Sequence, residues 1–310
     1  MNSNIPKLQP MGVGEILDTT FSLYRKYFLL FLGIMAVYFF GSLLTYSLEG
    51  FLQDTDLKNF VANHANVPFV LVSMGGVIVA TAAIFLEKHT TSTDVLKQTL
   101  RRFWHLLGCY LLWVTILVIP LIVTLLFLSS FIVRGTFSMR GTFLFIVLFI
   151  PFAVAPFVIY FVVRWGFVFE VLLLEKTNVR NAFKRSSELV RGTWWRVCGV
   201  LISILLLGVA ILYIFEISLG TIFILTKMAG ETGFKELIQW SVMKEELGSS
   251  NLLFYAIMTC TDLILSAFIF PIWVIGVTLL YFDLRIRKEG FDLEIQVGGD
   301  AVHGAEPTTP

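Results

Sequence analysis

Apolar runs and short basic segments alternate along this chain. Six stretches free of Asp, Glu, Lys and Arg lie over about 27–48, 67–86, 104–133, 142–163, 197–215 and 263–282. A helix that crosses a bilayer needs about 20 predominantly apolar residues, so each stretch predicts one transmembrane helix. The third run is the longest and contains Pro120, which predicts a kinked or tilted helix. Pro151, Pro156 and Pro271 fall inside later spans, where neighbouring groups can re-satisfy the freed backbone.

The basic segments follow a different rule. In the first, Ile16, Leu17, Phe21, Tyr24 and Phe28 share one helical face, opposite Glu15, Asp18, Ser22, Arg25 and Lys26. In the second, Val95, Leu96, Leu100, Phe103 and Leu107 oppose Asp94, Lys97, Gln98, Arg101 and Arg102. In the third, Val179, Ala182, Phe183, Val190 and Trp194 oppose Arg180, Lys184, Arg185, Ser187 and Arg191. Gly14, Thr93 and Asn178 read as the capping residues before them, and each segment runs into a span. Two of the approaches are alike, Leu86-Glu-Lys-His-Thr and Leu174-Glu-Lys-Thr-Asn. The reading is an all-α polytopic membrane protein with six spans and three amphipathic helices, in a threefold repeat of one interfacial helix and one hairpin.

Lys and Arg distribution gives the orientation. One alternating side of the spans holds 17 of them and the other six. The positive-inside rule therefore places both termini and all three amphipathic helices in the cytoplasm, in a multi-pass protein of the cytoplasmic (inner) membrane. Between spans, 50–66 reads as polar loop and 227–250 as a short surface helix. Residues 1–295 read as a single membrane domain and 296–310 as a disordered tail.

Composition agrees with the pattern: of 310 residues, 57% are hydrophobic and 15% charged, with a mean hydropathy of +0.83. Soluble domains are nearer half apolar and a quarter charged. A net charge of +1 with no strongly basic domain argues against nucleic acid as a partner. Cys109, Cys198 and Cys260 stand singly in apolar surroundings, so no disulfide framework or zinc site is expected. The first helix carries Glu15, Asp18, Arg25 and Lys26 with no early apolar core, which argues against a cleavable signal peptide.

Three stretches carry a family resemblance. Tyr281-Phe-Asp-Leu-Arg-Ile-Arg-Lys-Glu-Gly-Phe-Asp-Leu-Glu294 resembles the closing signature of the bacterial glycerophosphoryl diester phosphodiesterase membrane-domain family. Met11-Gly-Val-Gly-Glu-Ile-Leu-Asp-Thr-Thr-Phe-Ser-Leu-Tyr-Arg25 resembles its start, and Asn181-Ala-Phe-Lys-Arg-Ser-Ser-Glu-Leu-Val-Arg-Gly-Thr-Trp-Trp-Arg196 its central motif. The resemblance implies a membrane domain that precedes a catalytic domain in some phosphodiesterases and also occurs alone. A phosphodiesterase would need a soluble domain with His, Glu and Asp gathered around a metal. His64, His89, His105 and His303 are scattered instead, and no nucleotide-binding, hydrolase or metalloprotease motif occurs. No catalytic activity, cofactor or metal is therefore expected.

The candidate functional residues are charges near the membrane. Arg164 and Glu170 flank a stretch too apolar for a loop and too short for a span. They read either as a functional pair in a cytoplasmic cavity or as a structural, snorkelling one. In the exit motif, Asp283, Arg285, Arg287, Lys288 and Glu289 end the last helix, with Gly290 as its left-handed terminator and Phe291 folding over Ile286. Lys184, Arg185, Arg191 and Arg196, beside Trp194 and Trp195, are candidate contacts for anionic lipid headgroups; ordinary anchoring explains the same pattern. The expected partners are membrane lipids and a membrane or envelope protein. The function expected is that of a scaffold or regulator, in which charge reversal at Arg287 or Lys288 would spare the fold. The alternative is a transporter of a small molecule or lipid.

Overall fold

The computed structural model describes residues 10–52, 54–133, 155–225 and 252–290. All regular structure among them is helical: α1 (Val13–Lys26), α2 (Phe28–Phe51), α3 (Thr55–His64), α4 (Val67–Phe85), α5 (Ser92–Arg101), α6 (Phe103–Val133), α7 (155–164), α8 (Val168–Leu174), α9 (Val179–Val190), α10 (Trp194–Leu225) and α11 (Leu252–Glu289). Five helical stretches are long and apolar enough to cross a membrane: Phe28–Glu49, Val67–Phe85, Ala155–Leu174, Trp194–Ser218 and Thr259–Glu289. Taking α5 with the adjoining Phe103–Ile119 as one broken span makes six. The expected surface helix over 227–250, the tail over 296–310, the first part of the span over 142–163 and the Phe291 contact lie outside the described residues.

The chain divides into two compact units. The first holds Met11–Arg101 and Val200–Leu279. In it α2 packs on α4, and α5 lies against both. Apolar side chains gain little from leaving lipid, so close backbone approach and van der Waals contact must hold such helices together. A Cβ on Gly41 would fall 2.1 Å from the Phe69 ring, and one on Gly76 would fall 2.8 Å from Ile34. Phe31, Ile34 and Met35 of α2 and Val77, Ile78 and Ala80 of α4 fill the seam. Phe28 and Tyr38 stack on Phe268 and Phe270 of α11.

The second unit holds Arg102–Gly199 and the chain from Leu280. Its centre is the short helix α8, which packs on α6 and α9 and buries Val168, Glu170, Val171, Leu172 and Leu173. The apolar helix entering from residue 155 thus turns at 165–167 and continues inward to Leu174, rather than stopping near Val163.

Three local expectations change. Residues 55–64 are helix, not loop: Asp54 caps α3, its carboxylate accepting from the Asp56 and Leu57 N–H groups at 2.9 and 3.0 Å. The caps of α1 and α5 sit two residues before Gly14 and Thr93. Gly12 starts α1, its N–H donating to Glu15; the Thr91 hydroxyl accepts from the Asp94 N–H at 3.3 Å and donates to its carboxylate at 2.6 Å. The buried faces of the amphipathic helices are also rotated from the purely apolar stripe. They are Ile16, Thr20 and Leu23; Val95 and Thr99; and Ala182, Ser186, Leu189 and Val190. Leu100, expected inside, is exposed. A hydroxyl residue can sit in the seam because it is satisfied there. Thr20 and Thr99 donate to the carbonyls of Ile16 and Val95, and Ser186 to that of Arg164.

Candidate functional site

The densest polar structure is in the second unit, where α8, α9, the start of α10 and the end of α11 meet. Each helix brings an orphan charge or an orphan helix end. At the end of α8, Leu172 and the two residues after Glu175 present carbonyls with no partner in the helix. The Arg102 guanidinium donates to Leu172 O at 2.9 Å, Lys176 O at 2.8 Å and Thr177 O at 3.2 Å. A cation on helix-end carbonyls satisfies the acceptors and meets the negative pole of the dipole. Lys288 does the same for α9, its ammonium donating to Glu188 O at 3.2 Å and to Arg191 O.

Side-chain pairs complete the network. Glu175 accepts from the Tyr281 hydroxyl at 2.9 Å and from the Arg185 guanidinium at 3.2 Å. Arg185 also pairs with Glu289, which takes Arg285 at 3.2 Å from one turn earlier. Burial alone would lower the pKa of Arg185, but Glu175 and Glu289 outweigh it and raise it, so the guanidinium stays charged. Asp283 is fully buried and holds two guanidiniums: Arg196 at 2.9 Å, and Arg287 at 2.9 and 3.1 Å. A carboxylate this deep is tolerated only when its lone pairs are filled, and here they are. Gly290 adopts the expected left-handed conformation (φ 61°), and its N–H closes on Ile286 O at 3.2 Å.

This geometry reassigns the candidates. Asp283, Arg285, Arg287, Lys288 and Glu289 are all committed inside the unit, so charge reversal at Arg287 or Lys288 is expected to loosen the fold rather than spare it. Arg185 and Arg196 are likewise committed and are not free for headgroups. Lys184 and Arg191 do remain exposed, Lys184 with only a loose pairing to Glu188 at 4.0 Å. Trp195, in the first turn of α10, is 82% exposed.

Arg164 and Glu170 are not a pair. Arg164 donates to Ser187 Oγ at 3.2 Å and to the Tyr160 hydroxyl at 2.7 Å, with the Tyr160 ring beneath its guanidinium. Glu170 is 3% exposed, and its Oε2 has no hydrogen-bond partner among the described residues. Helix geometry explains the split. Three turn residues, 165–167, interrupt the helix between them, and Ser186 holds that turn by accepting from Phe167 N–H at 3.3 Å.

Sequence reading missed Glu175, Arg102 and Tyr281 as network members. Their one visible signal was position, since each stands where an amphipathic segment adjoins an apolar run. Among the described residues no three His, Cys, Asp or Glu gather as a metal site would require. No curated protein and no solved structure matches the chain. One family model does match, that of a domain of unknown function, DUF8558, over residues 57–282. That match begins in α3, takes in the central motif and ends within α11, so the chain belongs to the DUF8558 family.

Proposed function

We propose that this protein is a multi-pass module of the cytoplasmic membrane that performs no chemistry itself and serves as a scaffold or regulator for an envelope- or lipid-related partner. The observation that carries the reading is the saturated network around Asp283 and Glu175. It makes the second unit a rigid platform and leaves Lys184, Arg191 and Trp195 displayed on its surface. The resemblance of the exit motif to a membrane domain sometimes fused to a phosphodiesterase points the same way, because a stand-alone copy would meet its partner in trans. Both termini lie in the cytoplasm, and the three amphipathic helices belong to three related units. In support, Thr20, Thr99 and Ser186 repeat the 79- and 87-residue spacing of Ile16, Val95 and Ala182.

The test is affinity purification from native membranes into nanodiscs, comparing the natural chain with Lys184→Glu/Arg191→Glu. A stoichiometric protein lost from the variant, with its melting temperature unchanged, is the expected result. Equal recovery of the same proteins from both would refute the platform.

Glu170 favours a second reading, transport. A buried carboxyl with an oxygen left unfilled among the described residues is what an ion- or proton-carrying site requires. Proteoliposomes loaded with a pH-sensitive dye would then show a proton flux that Glu170→Gln abolishes. Identical traces from both proteins would remove this reading.

A further inference from the structure

A cavity of about 330 Å³ opens in the first unit, lined by Tyr27, Leu30, Ile84, Glu87, Lys88, His89 and Thr90. It lies where α2 begins and α4 ends, at the boundary of two apolar helices long enough to cross a membrane. Its walls are of two kinds. Leu30 and Ile84 make an apolar floor, with the Tyr27 ring beside them under the Lys26 ammonium at 5.4 Å. Glu87, Lys88 and His89 form a rim carrying both signs of charge.

Glu87, Lys88 and His89 are all exposed, and two features of this rim bear on what it could hold. First, its charges are uncommitted: among the described residues none of the three side chains has an ion pair or hydrogen bond. Second, Glu87 stands at a left-handed position (φ 55°). The helix closes through it, Glu87 N–H donating to Ile84 O at 3.0 Å and Lys88 N–H to Ala83 O at 2.8 Å. Glycine is the usual residue at that point of the closure, and this chain places it at Gly192 and Gly290, although Lys176 is left-handed after α8 as well. At Glu87 the chain keeps a carboxylate despite the backbone cost, and strain retained in this way gathers at ligand sites.

We propose that this cavity binds a phosphate diester bearing a primary amine, the head group of an aminophospholipid. Lys88 and His89 take the phosphate oxygens, Glu87 takes the ammonium, and the first carbons of the glycerol rest on Leu30 and Ile84. At about 30 Å³ per water molecule, the cavity has room for about ten water-sized groups, enough for such a head. Neither a purely anionic nor a purely cationic ligand would use both signs of the rim. The site is independent of the platform reading, since none of its residues belongs to the second unit.

The experiment is native mass spectrometry of the delipidated full chain in detergent, titrated with phosphatidylethanolamine, phosphatidylcholine or phosphatidylglycerol. Phosphatidylethanolamine should be retained best, because a quaternary ammonium cannot donate to Glu87 and a glycerol head carries no cation. A charged hydrogen bond is worth enough that Lys88→Ala/His89→Ala should weaken retention about tenfold. Glu87→Gln should instead erase the preference over phosphatidylcholine. Soluble glycerophosphoethanolamine supplies the second arm: displacement of the lipid supports the site and names the free diester as a ligand. Failure to displace, with lipid selectivity intact, supports the site and names the lipid. Equal retention of all three lipids, or no change in either variant, overturns the proposal.

Discussion

Two polar regions of this chain handle charge in opposite ways. Around Asp283 and Glu175 each carboxylate meets one or two guanidiniums, and two helix ends are closed by the cations Arg102 and Lys288. Around Glu87 three polar side chains, those of Glu87, Lys88 and His89, line a cavity and make no ion pair or hydrogen bond among the described residues. Their backbones show the same contrast. Lys176 and Glu87 are both left-handed, yet the carbonyl of Lys176 is held by Arg102 while Glu87 is held only by the closure of its own helix. The difference teaches how to separate structural from ligand-binding charge. The desolvated charges around Asp283 and Glu175 are paired within the protein, whereas charges left at a cavity mouth can be paired from outside.

The sharpest way to break the comparison is at its most buried member. Asp283→Ala removes the buried carboxylate that Arg196 and Arg287 share and should cost about 3–5 kcal/mol, read as loss of folded protein in detergent. If melting barely moves, the network does not clamp the second unit. Lys288→Met uncaps α9 and should cost about 1–3 kcal/mol, with faster hydrogen exchange confined to the end of that helix. Glu87→Gly runs the other way. Relief of a left-handed L-residue should raise stability by about 1 kcal/mol while removing the rim carboxylate, a trade visible as a higher melting temperature with less lipid selectivity. Lys184→Glu/Arg191→Glu should change stability by no more than about 0.5 kcal/mol, and a larger loss would mean that the exposed face is not solvated as drawn.

Some of this was legible beforehand. The polarity of 55–64 reads as loop, although Asp54-Thr-Asp with Leu57, Phe60 and Val61 behind it is a capped amphipathic start. The buried faces were misplaced by less than a turn, because hydropathy ranks Thr20, Thr99 and Ser186 as polar while a helix carbonyl one turn back makes Thr20 and Thr99 fit for a core. The approach Leu86-Glu-Lys-His-Thr was visible as a motif, but nothing in it announced a cavity.

The sequence by itself determined the all-helical architecture, the apolar runs and the amphipathic segments that precede them. Those features depend on the period and length of hydrophobic runs, which are local properties. Only the tertiary structure decided which charges are consumed and which are available. Tyr281 and Glu175 are 106 residues apart, and Lys288 caps Glu188 from 100 residues away. No spacing rule reaches that far. Burial decides the sign of a charge's contribution, and burial is set by which helices pack together, not by the residues beside it in the chain.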